Sequence, residues 1–458
     1  MEHQFMKVVV IGCTHAGTAA VQEILNRDPE TEVAVYERNA DISFLSCGIY
    51  LYLGGVVRDL HDVFYATGPE VEAMGLHVGV HLRHDVTLVD AKRKVVEVQD
   101  LETGEKFSDT YDKLIVTTGS YPVASPIRGV NVENVFLCKN FKDAQAIKAA
   151  SDQAKRIAVV GGGYIGVEIA SSFAQQGRHD VLLINGRHGL LSHYVDRGLA
   201  SRIGDDLRNH GVDLHDGEHV LEFDGDGDGR VFIRTDKGEI ETDIVILCVG
   251  FQPMTELVAG MVDLDRSQAI IVNDQMQSSD PDIYAAGDST VVRFNPTGQY
   301  AYAPLATNAV RQGKIAGANI INPGSIHYMG TQSTSALSIL EHNMATSGLT
   351  YSRARKYFDD VDFVEFRDNY RPEFMPTTTP IEGTLVFRRS TRQILGGQFY
   401  SKLDISMCAN VISVMIQNKN TVDDLGYVDM LFNPNFDRPW NYMNLLGQAA
   451  INKLDQPQ

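Results

Sequence analysis

Two stretches of the chain share one pattern of hydrophobic positions: a continuous apolar run, a glycine-rich turn, and then apolar residues at helical spacing. In "KVVVIGCTHAGTAAVQEIL" the run from Val8 to Ile11 predicts a buried strand, and the residues after the turn predict a helix. In "RIAVVGGGYIGVEIASSFAQQG" the corresponding strand runs from Ile157 to Val160. "EVAVYE" supplies a further strand after the first helix. Each stretch therefore predicts the start of a strand–helix–strand unit.

The two turns carry the glycine spacing G-x-G-x-x-G, which is typical of dinucleotide-binding sites. The first has Gly12 and Gly17, with Thr14 in place of the middle glycine, whereas the second is complete. A pyrophosphate rests on the exposed N–H groups of a helix N-terminus, and small residues let the backbone approach it. One incomplete motif is a weak signal, because a glycine turn also simply joins a strand to a helix. Two such motifs in one chain favour dinucleotide binding.

Further stretches fit the same architecture. "YDKLIVTTGS" and "TDIVILCVGFQP" each run an apolar strand into a glycine turn, and "DIYAAGDST" places Asp288 just after a small-residue turn. Glu37 ends the second strand, about 20 residues beyond Gly17, where an acidic residue binds the hydroxyl pair of a ribose. The predicted fold class is therefore α/β, with two Rossmann-like nucleotide-binding domains.

Composition and charge narrow the function. The chain has 458 residues, of which 43% are hydrophobic, enough for several domains. Lys and Arg number 40 against 59 Asp and Glu, and the net charge of -19 disfavours nucleic acid and anionic membrane surfaces as partners. No apolar run approaches the ~20 residues of a membrane helix. "MEHQFMKVVVIG" also lacks the plan of a signal peptide, so we expect a cytoplasmic protein.

Cysteine usage leaves one reactive thiol open. The five cysteines are scattered and form no CxxC pair, which disfavours both a disulfide framework and a metal site. We therefore expect no bound metal.

These motifs resemble the flavin-dependent pyridine nucleotide disulfide oxidoreductase family over nearly the whole chain. The resemblance implies FAD in the first unit and NADPH or NADH in the second, with Asp288 binding the ribityl or pyrophosphate part of the flavin. It also implies a discontinuous FAD-binding domain (1–121 and 251–328), an NAD(P)H-binding domain (122–250) and a C-terminal α+β dimerisation domain (329–458). The expected assembly is a homodimer or higher homo-oligomer. The loop "FNPNFDRPWNYMN" then either reaches the partner's active site or packs as an ordinary surface loop.

The stretch "DISFLSCGIYLYLGG" raises the question of what Cys47 does. A lone cysteine is most often a small buried hydrophobe. A place at a helix start, with Asp41 and Ser43 as possible caps, would instead lower the thiol pKa and favour the thiolate. In disulfide reductases of the resembled family a second cysteine follows at C-x4-C, where this chain has Tyr52, so that internal disulfide is excluded. "SFLSCG" with "GCTHAGT" is similar to the NADH oxidase and NADH peroxidase branch, in which the cysteine cycles between thiolate and sulfenic acid.

The same resemblance assigns roles to other residues. His15 would serve as general acid or hydrogen-bond donor toward peroxide, beside the redox-active Cys47. Tyr164 would gate the nicotinamide pocket and Glu168 would orient the dihydronicotinamide; without the resemblance they are a helix-start aromatic and a solvated charge. The cofactor-binding residues predicted in this way are Gly12, Thr14, Gly17, Glu37, Ser43, Asp288, Gly161, Gly163, Tyr164, Ile165, Gly166, Glu168, Asn185, Arg187 and His188.

Within the family, "THAGT", "LATNAVRQG" and "FDRPWNYMN" are most similar to the water-forming NADH oxidases. The resemblance implies reduction of O2 to water by two NAD(P)H: flavin delivers the first electron pair to oxygen, Cys47 traps the peroxide formed, and reduced flavin restores the cysteine. NADH peroxidase and coenzyme A-disulfide reductase differ in the acceptor and stay open as alternatives. A flavoprotein redox sensor, in which nucleotide binding alters partner affinity without turnover, is an alternative of another class.

The choice of nucleotide depends on the end of the second strand in the second unit. In "DVLLINGRHGLLSHY" that strand ends at Asn185, where the NADH-using pattern has an acidic residue. Neutral Asn185 removes the repulsion of a 2′-phosphate, and Arg187, followed by His188, supplies a charge-assisted partner. We therefore expect NADPH to be used well or preferred. The alternative is that Arg187 is a solvated loop cation.

Overall fold

Within residues 6–123, 127–186 and 189–456, which the computed structural model describes, the chain forms three five-stranded sheets with smaller sheets between them. Two of the large sheets are parallel and the third is antiparallel. The predicted fold class, with two Rossmann-like units and a C-terminal α+β unit, is confirmed. In the described ranges, no helix is both long and apolar enough to cross a membrane.

The elements are numbered in chain order. Up to residue 122 they are β1 (Lys7–Ile11), α1 (His15–Arg27), β2 (Glu32–Glu37), a 3₁₀ turn (Ser46–Gly48), α2 (Ile49–Leu53), a 3₁₀ turn (Leu60–Val63), α3 (Gly68–Glu72), β3 (Val78–Leu82), β4 (His84–Asp90), β5 (Val95–Asp100), β6 (Lys106–Thr110), β7 (Lys113–Val116) and β8 (Ser120–Pro122). The middle of the chain contributes β9 (Val135–Leu137), α4 (Phe141–Ser151), β10 (Arg156–Val160), α5 (Tyr164–Gln176), β11 (Asp180–Asn185), α6 (Arg197–Asn209), β12 (Asp213–Asp216), β13 (Val220–Gly225), β14 (Val231–Thr235), β15 (Glu239–Thr242), β16 (Ile244–Leu247) and β17 (Phe251–Pro253).

The remaining elements follow in the same order. They are a 3₁₀ turn (Glu256–Val258), β18 (Ile270–Ile271), β19 (Ile283–Ala285), a 3₁₀ turn (Gly287–Ser289), β20 (Thr290–Phe294), β21 (Gln299–Ala301), α7 (Ala306–Ile321), β22 (Ser335–Ile339), β23 (His342–Gly348), α8 (Tyr351–Ala354), β24 (Val361–Asn369), β25 (Pro380–Arg388), β26 (Ile394–Ser401), α9 (Ser406–Gln417), α10 (Val422–Tyr427) and α11 (Tyr442–Asp455).

The first parallel sheet has the strand order β19-β7-β1-β2-β3. The side chains of Val8, Val9 and Val10 in its central strand are completely buried. A strand covered on both faces needs apolar residues at every position, which explains the continuous apolar run in the sequence. The predicted strand is therefore confirmed, beginning one residue earlier, at Lys7.

The second parallel sheet has the order β12-β11-β10-β16-β9. Val159 of its central strand lies opposite Leu183 on one side and Ile246 on the other. Helix α5 packs against this sheet through Phe173, which is fully buried. The helix ends at Gly177, whose left-handed φ of 65° glycine adopts without strain.

The antiparallel sheet has the order β22-β23-β26-β25-β24 and carries α9 and α11. The stretches "GTLVFRR" and "ILGGQFY", predicted to be strands, belong to β25 and β26. The predicted loop "FNPNFDRPWNYMN" lies between α10 and α11 except for its last three residues, which begin α11. Asn441 caps α11 by accepting a hydrogen bond from the N–H of Met443. Phe436 and Trp440 of this loop are 67% and 50% exposed, so its aromatic side chains face outward from this chain.

Helices α1 and α7 lie against the first sheet and approach each other closely. A Cβ atom added at Gly313 would lie 2.1 Å from the carbonyl oxygen of Ala16, and one added at Gly317 would lie 2.5 Å from that of Ala20. Real Cβ contacts are longer than this, so these two positions of α7 admit only glycine at the present helix separation. The helix that begins with the first glycine turn is thus fixed against α7.

Gly317→Ala is expected to lower the thermal unfolding midpoint, although alanine is the better helix former. The added methyl group forces α1 and α7 apart, and overpacking of this kind costs about 1–3 kcal/mol. The control is Gly238→Ala, because a Cβ there meets nothing within 4 Å. Equal midpoints for both variants and the wild type would contradict the packing argument.

Candidate active site

The first glycine turn brings β1 directly beneath the start of α1. Gly12 has φ +87°, and a Cβ on it would lie 2.6 Å from the carbonyl oxygen of Thr117. A Cβ on Gly17 would lie 2.1 Å from the carbonyl oxygen of Gly12. Thr14, at the middle position of the motif, is exposed and its side chain caps no backbone group. The turn therefore presents the N–H groups at the start of α1 without side chains covering them.

Glu37 lies at the carboxyl end of β2, as the motif predicts, and is 3% exposed. Its Oε2 accepts a hydrogen bond of 2.7 Å from the N–H of Cys13, and its Oε1 accepts one of 2.9 Å from the N–H of Asn39. The carboxylate is thereby held against the first glycine turn, in the position expected for ribose binding.

Ser43 also ties a loop to this turn, so its expected role as a helix cap is wrong. Its N–H donates to the carbonyl oxygen of Cys13 at 2.8 Å, and its Oγ donates to the carbonyl oxygen of Ala66 at 2.6 Å. Asp41 is exposed, and α2 begins after Gly48 with no side-chain cap. The segment before Cys47 is therefore positioned by Ser43 rather than by helix capping.

His15 is the first residue of α1, and its ring stacks on Tyr65 with centroids 5.6 Å apart. Nδ1 of His15 lies 3.0 Å from the Tyr65 hydroxyl oxygen. Burial raises the pKa of Tyr65 to about 12, so this hydroxyl keeps its proton and can donate to Nδ1. Burial lowers the pKa of His15, with Asp288 opposing and Lys139 assisting, so the ring is neutral at pH 7. When the Tyr65 hydroxyl donates to Nδ1, neutral His15 carries its proton on Nε2 and can donate a hydrogen bond there, rather than acting as a charged acid.

The Nε2 atom of His15 is buried and has no hydrogen-bond partner within the ranges that the structure describes. A buried donor without a partner costs free energy unless a ligand accepts its hydrogen bond. Together with the uncovered glycine turn and Glu37, this atom fits a bound FAD, whose pyrophosphate, ribose and flavin ring offer the matching groups.

Asp288 follows β19 and forms an ion pair that joins the two parallel sheets. Its Oδ2 lies 3.1 Å from Nζ of Lys139 and accepts a hydrogen bond of 2.8 Å from Oγ of Ser120. Lys139 follows β9 of the second sheet, and its Nζ lies 4.2 Å from the centroid of the Phe251 ring. Lys139 thus holds a fixed positive charge between the two units.

Cys47 lies in the 3₁₀ turn that precedes α2 and is exposed. The expected lowering of its thiol pKa is wrong. Desolvation by surrounding atoms is the largest cause and raises the pKa; Glu168 and Asp288 raise it further, whereas Lys139 and a backbone hydrogen bond lower it. Helix α2 spans only five residues, Ile49–Leu53, so its dipole is too short to overcome these effects. Lys139 is the charged side chain that favours a thiolate at Cys47.

Glu168 projects from α5 into a cavity of about 190 Å³. Tyr50 of α2 also lines this cavity, as do Leu337, Asn343 and Asp404 from the C-terminal unit. Burial raises the pKa of Glu168 to about 8, so the carboxyl is protonated and neutral at pH 7. Its repulsion of a thiolate at Cys47 therefore acts only at higher pH.

The second glycine turn repeats the close approach of the first. Gly161 has φ +117°, and a Cβ on it would lie 2.3 Å from the carbonyl oxygen of Cys248. A Cβ on Gly166 would lie 1.8 Å from the carbonyl oxygen of Gly161. Gly163, which caps α5, has open space around its Cβ position. The turn is shaped for a close backbone approach to a ligand.

Tyr164 begins α5, and its ring stacks on Tyr194 with a centroid distance of 3.7 Å. Its hydroxyl group lies 2.5 Å from Oγ of Ser335 and 3.1 Å from Oγ1 of Thr346, both in the C-terminal sheet. Ile165 is partly buried against the core of the second unit. The side chain of Tyr164 is therefore held between Tyr194 and the C-terminal sheet.

Asn185 lies at the carboxyl end of β11, beside the second glycine turn, as the sequence predicts. Its Oδ1 accepts a hydrogen bond of 3.1 Å from the N–H of Gly162. Arg187 and His188, the predicted partners of a 2′-phosphate, lie outside the described residues.

Sequence reasoning missed Tyr65, Lys139 and Tyr194. Lys139 follows the last apolar residue of a parallel strand, which is the position where ligands bind such sheets, so this signal was present in "VFLCKN". Tyr65 and Tyr194 lie in irregular segments, and only the tertiary fold brings them to His15 and Tyr164. One ion pair, Asp288–Lys139, thus acts electrostatically on both Cys47 and His15.

Comparisons with known proteins agree on one family. Residues 6–313 match the model of the pyridine nucleotide-disulphide oxidoreductase family. The chain is 47% identical over 450 residues to an NADH oxidase of Enterococcus faecalis, covering 98% of this chain and 100% of that protein. It superposes with a TM-score of 0.95 on a water-forming NADH oxidase from Lactobacillus brevis bound to NADH, at 48% identity and covering 98% of this chain and 99% of that one. An engineered variant of that enzyme, a water-forming NADPH oxidase bound to NADPH, gives the same TM-score, identity and coverage.

Glu168→Gln is expected to change the pH dependence of stability. The folded pKa of about 8 lies above the ordinary 4.5, so the wild type loses stability as the pH rises from about 4.5 through about 8. Glutamine does not titrate, so the unfolding midpoint of the variant minus that of the wild type should rise over this window and then level off. Thermal unfolding between about pH 5 and pH 9 measures this difference.

The matched control is Glu97→Gln, which removes an exposed carboxyl on β5. Its unfolding midpoints should run parallel to those of the wild type at every pH. A constant difference for Glu168→Gln over the same range would contradict the raised pKa.

Proposed function

The chain belongs to the pyridine nucleotide-disulphide oxidoreductase family, and from this premise we propose that it is an FAD-dependent NAD(P)H oxidase that reduces O2 to water. It is an oxidoreductase with FAD and a pyridine nucleotide as cofactors. The proposal adds the acceptor, the product, a single redox cysteine and the use of NADPH.

The observation that carries the proposal is the position of one exposed thiol. The Lys139–Asp288 ion pair acts electrostatically on both Cys47 and His15, so both side chains border the same pair of charges. Tyr52 occupies the position of the second cysteine of a disulfide reductase. A lone thiol beside a hydrogen-bond donor suits peroxide reduction, because sulfenic acid forms and is reduced without a second cysteine.

Bound FAD supplies the hydride acceptor for NAD(P)H and the electron donor to oxygen, which amino-acid side chains cannot supply. One NAD(P)H, one proton and O2 give NAD(P)⁺ and hydrogen peroxide. The Cys47 thiolate, stabilised by Lys139, attacks one peroxide oxygen; the O–O bond breaks, and hydroxide leaves while the sulfur becomes sulfenic acid. His15 donates a hydrogen bond from Nε2 to the departing oxygen. The hydride of a second NAD(P)H then returns the sulfur to thiolate and releases water.

The remaining predicted residues have roles in binding. Glu37 holds the ribose hydroxyl groups of FAD, and Asp288 binds its ribityl or pyrophosphate part, while the glycine turns accept the pyrophosphates. Tyr164 gates the nicotinamide pocket, and neutral Glu168 orients the dihydronicotinamide. The C-terminal unit, 329–458, forms the interface of a homodimer, with the outward aromatics of its loop toward the partner.

We further propose that NADPH is used well or preferred. Asn185 is neutral, and Arg187 and His188 follow it. The engineered NADPH oxidase supports this charge logic, because its five substitutions include the loss of an aspartate and the gain of two arginines.

Cys47→Ser is expected to change the stoichiometry of the reaction while leaving oxygen consumption in place. The wild type should consume two NADPH per O2 without free peroxide; the variant should consume one and accumulate hydrogen peroxide, because serine cannot form a sulfenic acid. An oxygen electrode, nucleotide absorbance and a peroxide assay measure the three quantities together.

The control for this test is Cys408→Ser, which replaces a buried thiol on α9 and should keep the ratio of two. A wild-type ratio of one with peroxide released would contradict the role of Cys47. Consumption of added peroxide without oxygen uptake would assign the chain to the NADH peroxidases. Consumption of coenzyme A disulfide without oxygen uptake would assign it to the coenzyme A-disulfide reductases. Nucleotide binding without turnover would favour a redox sensor.

Arg187→Ala is expected to lower kcat/KM for NADPH relative to NADH about tenfold, which corresponds to about 1.4 kcal/mol for one lost phosphate contact. The control is Arg178→Ala, an exposed arginine of the same unit that pairs with Asp152. An unchanged ratio of the two kcat/KM values would overturn the assignment of Arg187.

A further inference from the structure

An acidic residue stands beside Asn185 on the neighbouring strand. Strands β11 and β12 run in parallel register, and their last residues, Asn185 and Asp216, lie opposite each other. Nδ2 of Asn185 donates a hydrogen bond of 2.7 Å to Oδ1 of Asp216. Asn185 stands where the sequence motif has a carboxylate. Asp216, on the next strand, supplies a carboxylate at the same edge of the sheet.

The side chain of Asn185 is fully engaged by the protein. It is 9% exposed, and its Oδ1 accepts from the N–H of Gly162 while its Nδ2 holds Asp216. A Cβ on Gly162 would lie 2.5 Å from Cγ of Asn185, so the amide is wedged beneath the glycine turn. Asp216, in contrast, is exposed. Asn185 therefore links the second glycine turn to the exposed carboxylate of Asp216 through two hydrogen bonds.

No lysine or arginine that the structure describes neutralises Asp216. Within the described residues, no lysine or arginine forms an ion pair with its carboxylate. The nearby His215 is shared between two other carboxylates: its Nδ1 lies 2.8 Å from Glu218 and its Nε2 lies 3.2 Å from Asp213. The N–H of Glu218 donates to the carbonyl oxygen of Asn185 at 3.0 Å, so this acidic group belongs to the same edge.

We propose that Asp216 is a nucleotide-selecting residue, an inference that rests on the proposed binding of NAD(P)H at the second glycine turn. Its carboxylate accepts a hydrogen bond from the 2′-hydroxyl of NADH and repels the 2′-phosphate of NADPH. The neutral side chain of Asn185 therefore removes only part of the repulsion of NADPH.

Asp216→Asn tests the proposal, because asparagine keeps an oxygen that accepts from Asn185 and removes only the charge. In the FAD-loaded protein we expect the ratio of kcat/KM for NADPH to that for NADH to rise about tenfold. Asp216→Glu, which keeps the charge, should stay within about threefold of the wild type. Asp213→Asn is the matched control, since it removes a carboxyl from the same strand and should leave the ratio unchanged. General damage to the fold affects both nucleotides and cancels in the ratio.

Calorimetric titration of the same proteins with NADP⁺ and NAD⁺ separates this proposal from the oxidase reaction. A tenfold shift in the ratio of the two Kd values supports the role of Asp216 even if no oxygen is consumed, in which case the proposed function fails alone. Oxygen-consuming protein whose Kd and kcat/KM ratios are the same for wild type and Asp216→Asn overturns the role of Asp216 and leaves the oxidase intact. Equal shifts in Asp216→Asn and Asp213→Asn overturn it as well, because they would indicate a long-range charge effect.

Discussion

The close contact between each parallel strand and the helix that follows it is the constraint on which this protein depends. A single methyl group at Gly17 would lie 2.1 Å from a backbone oxygen of its own turn, and one at Gly166 would lie 1.8 Å from such an oxygen. Because neither Gly17 nor Gly166 tolerates a Cβ, each helix starts directly at the carboxyl edge of its sheet. Polar side chains at the ends of other strands lie at the same edges: Glu37 in the first sheet, and Asn185 and Asp216 in the second. The chemistry of the site is a consequence of this geometry.

An ion pair between Lys139 and Asp288 connects the two parallel-sheet units. Lys139 follows a strand of the second sheet and Asp288 follows a strand of the first, and the two side chains lie 3.1 Å apart. Both charges act on Cys47 and on His15. Burial keeps His15 neutral, which suits its proposed role as a hydrogen-bond donor. Burial also opposes ionisation of the Cys47 thiol, although the proposed attack on peroxide needs the thiolate. The positive charge of Lys139 favours both the neutral His15 and the Cys47 thiolate, because it lowers the pKa of each group.

Local pattern was sufficient to predict the two parallel units, because a buried parallel strand followed by a glycine turn is encoded by consecutive residues. It also identified Glu37 and Asn185 as strand ends, since both are defined by their distance along the chain from a motif. The pKa of Cys47 was predicted in the wrong direction because it depends first on desolvation by the surrounding atoms and then on charges from three separate parts of the chain, which only the fold brings together. The sequence did not identify Asp216 for a similar reason: its partner, Asn185, is a neighbour in the sheet but not in the sequence. The domain boundaries and the roles of the site residues stay predictions.

The hydroxyl of Tyr164 connects the nucleotide-binding unit to the C-terminal sheet through Ser335 and Thr346, on strands β22 and β23. A nicotinamide that displaced this ring would break two hydrogen bonds, each worth about 0.5–1.5 kcal/mol. Such a linkage is reciprocal. A change that strengthens the contact of the two strands with Tyr164 weakens nucleotide binding, and a bound nucleotide weakens that contact by the same factor. Under the proposed gating by Tyr164, the C-terminal sheet competes with the coenzyme for this side chain, and the packing of the sheet then sets part of the coenzyme's affinity.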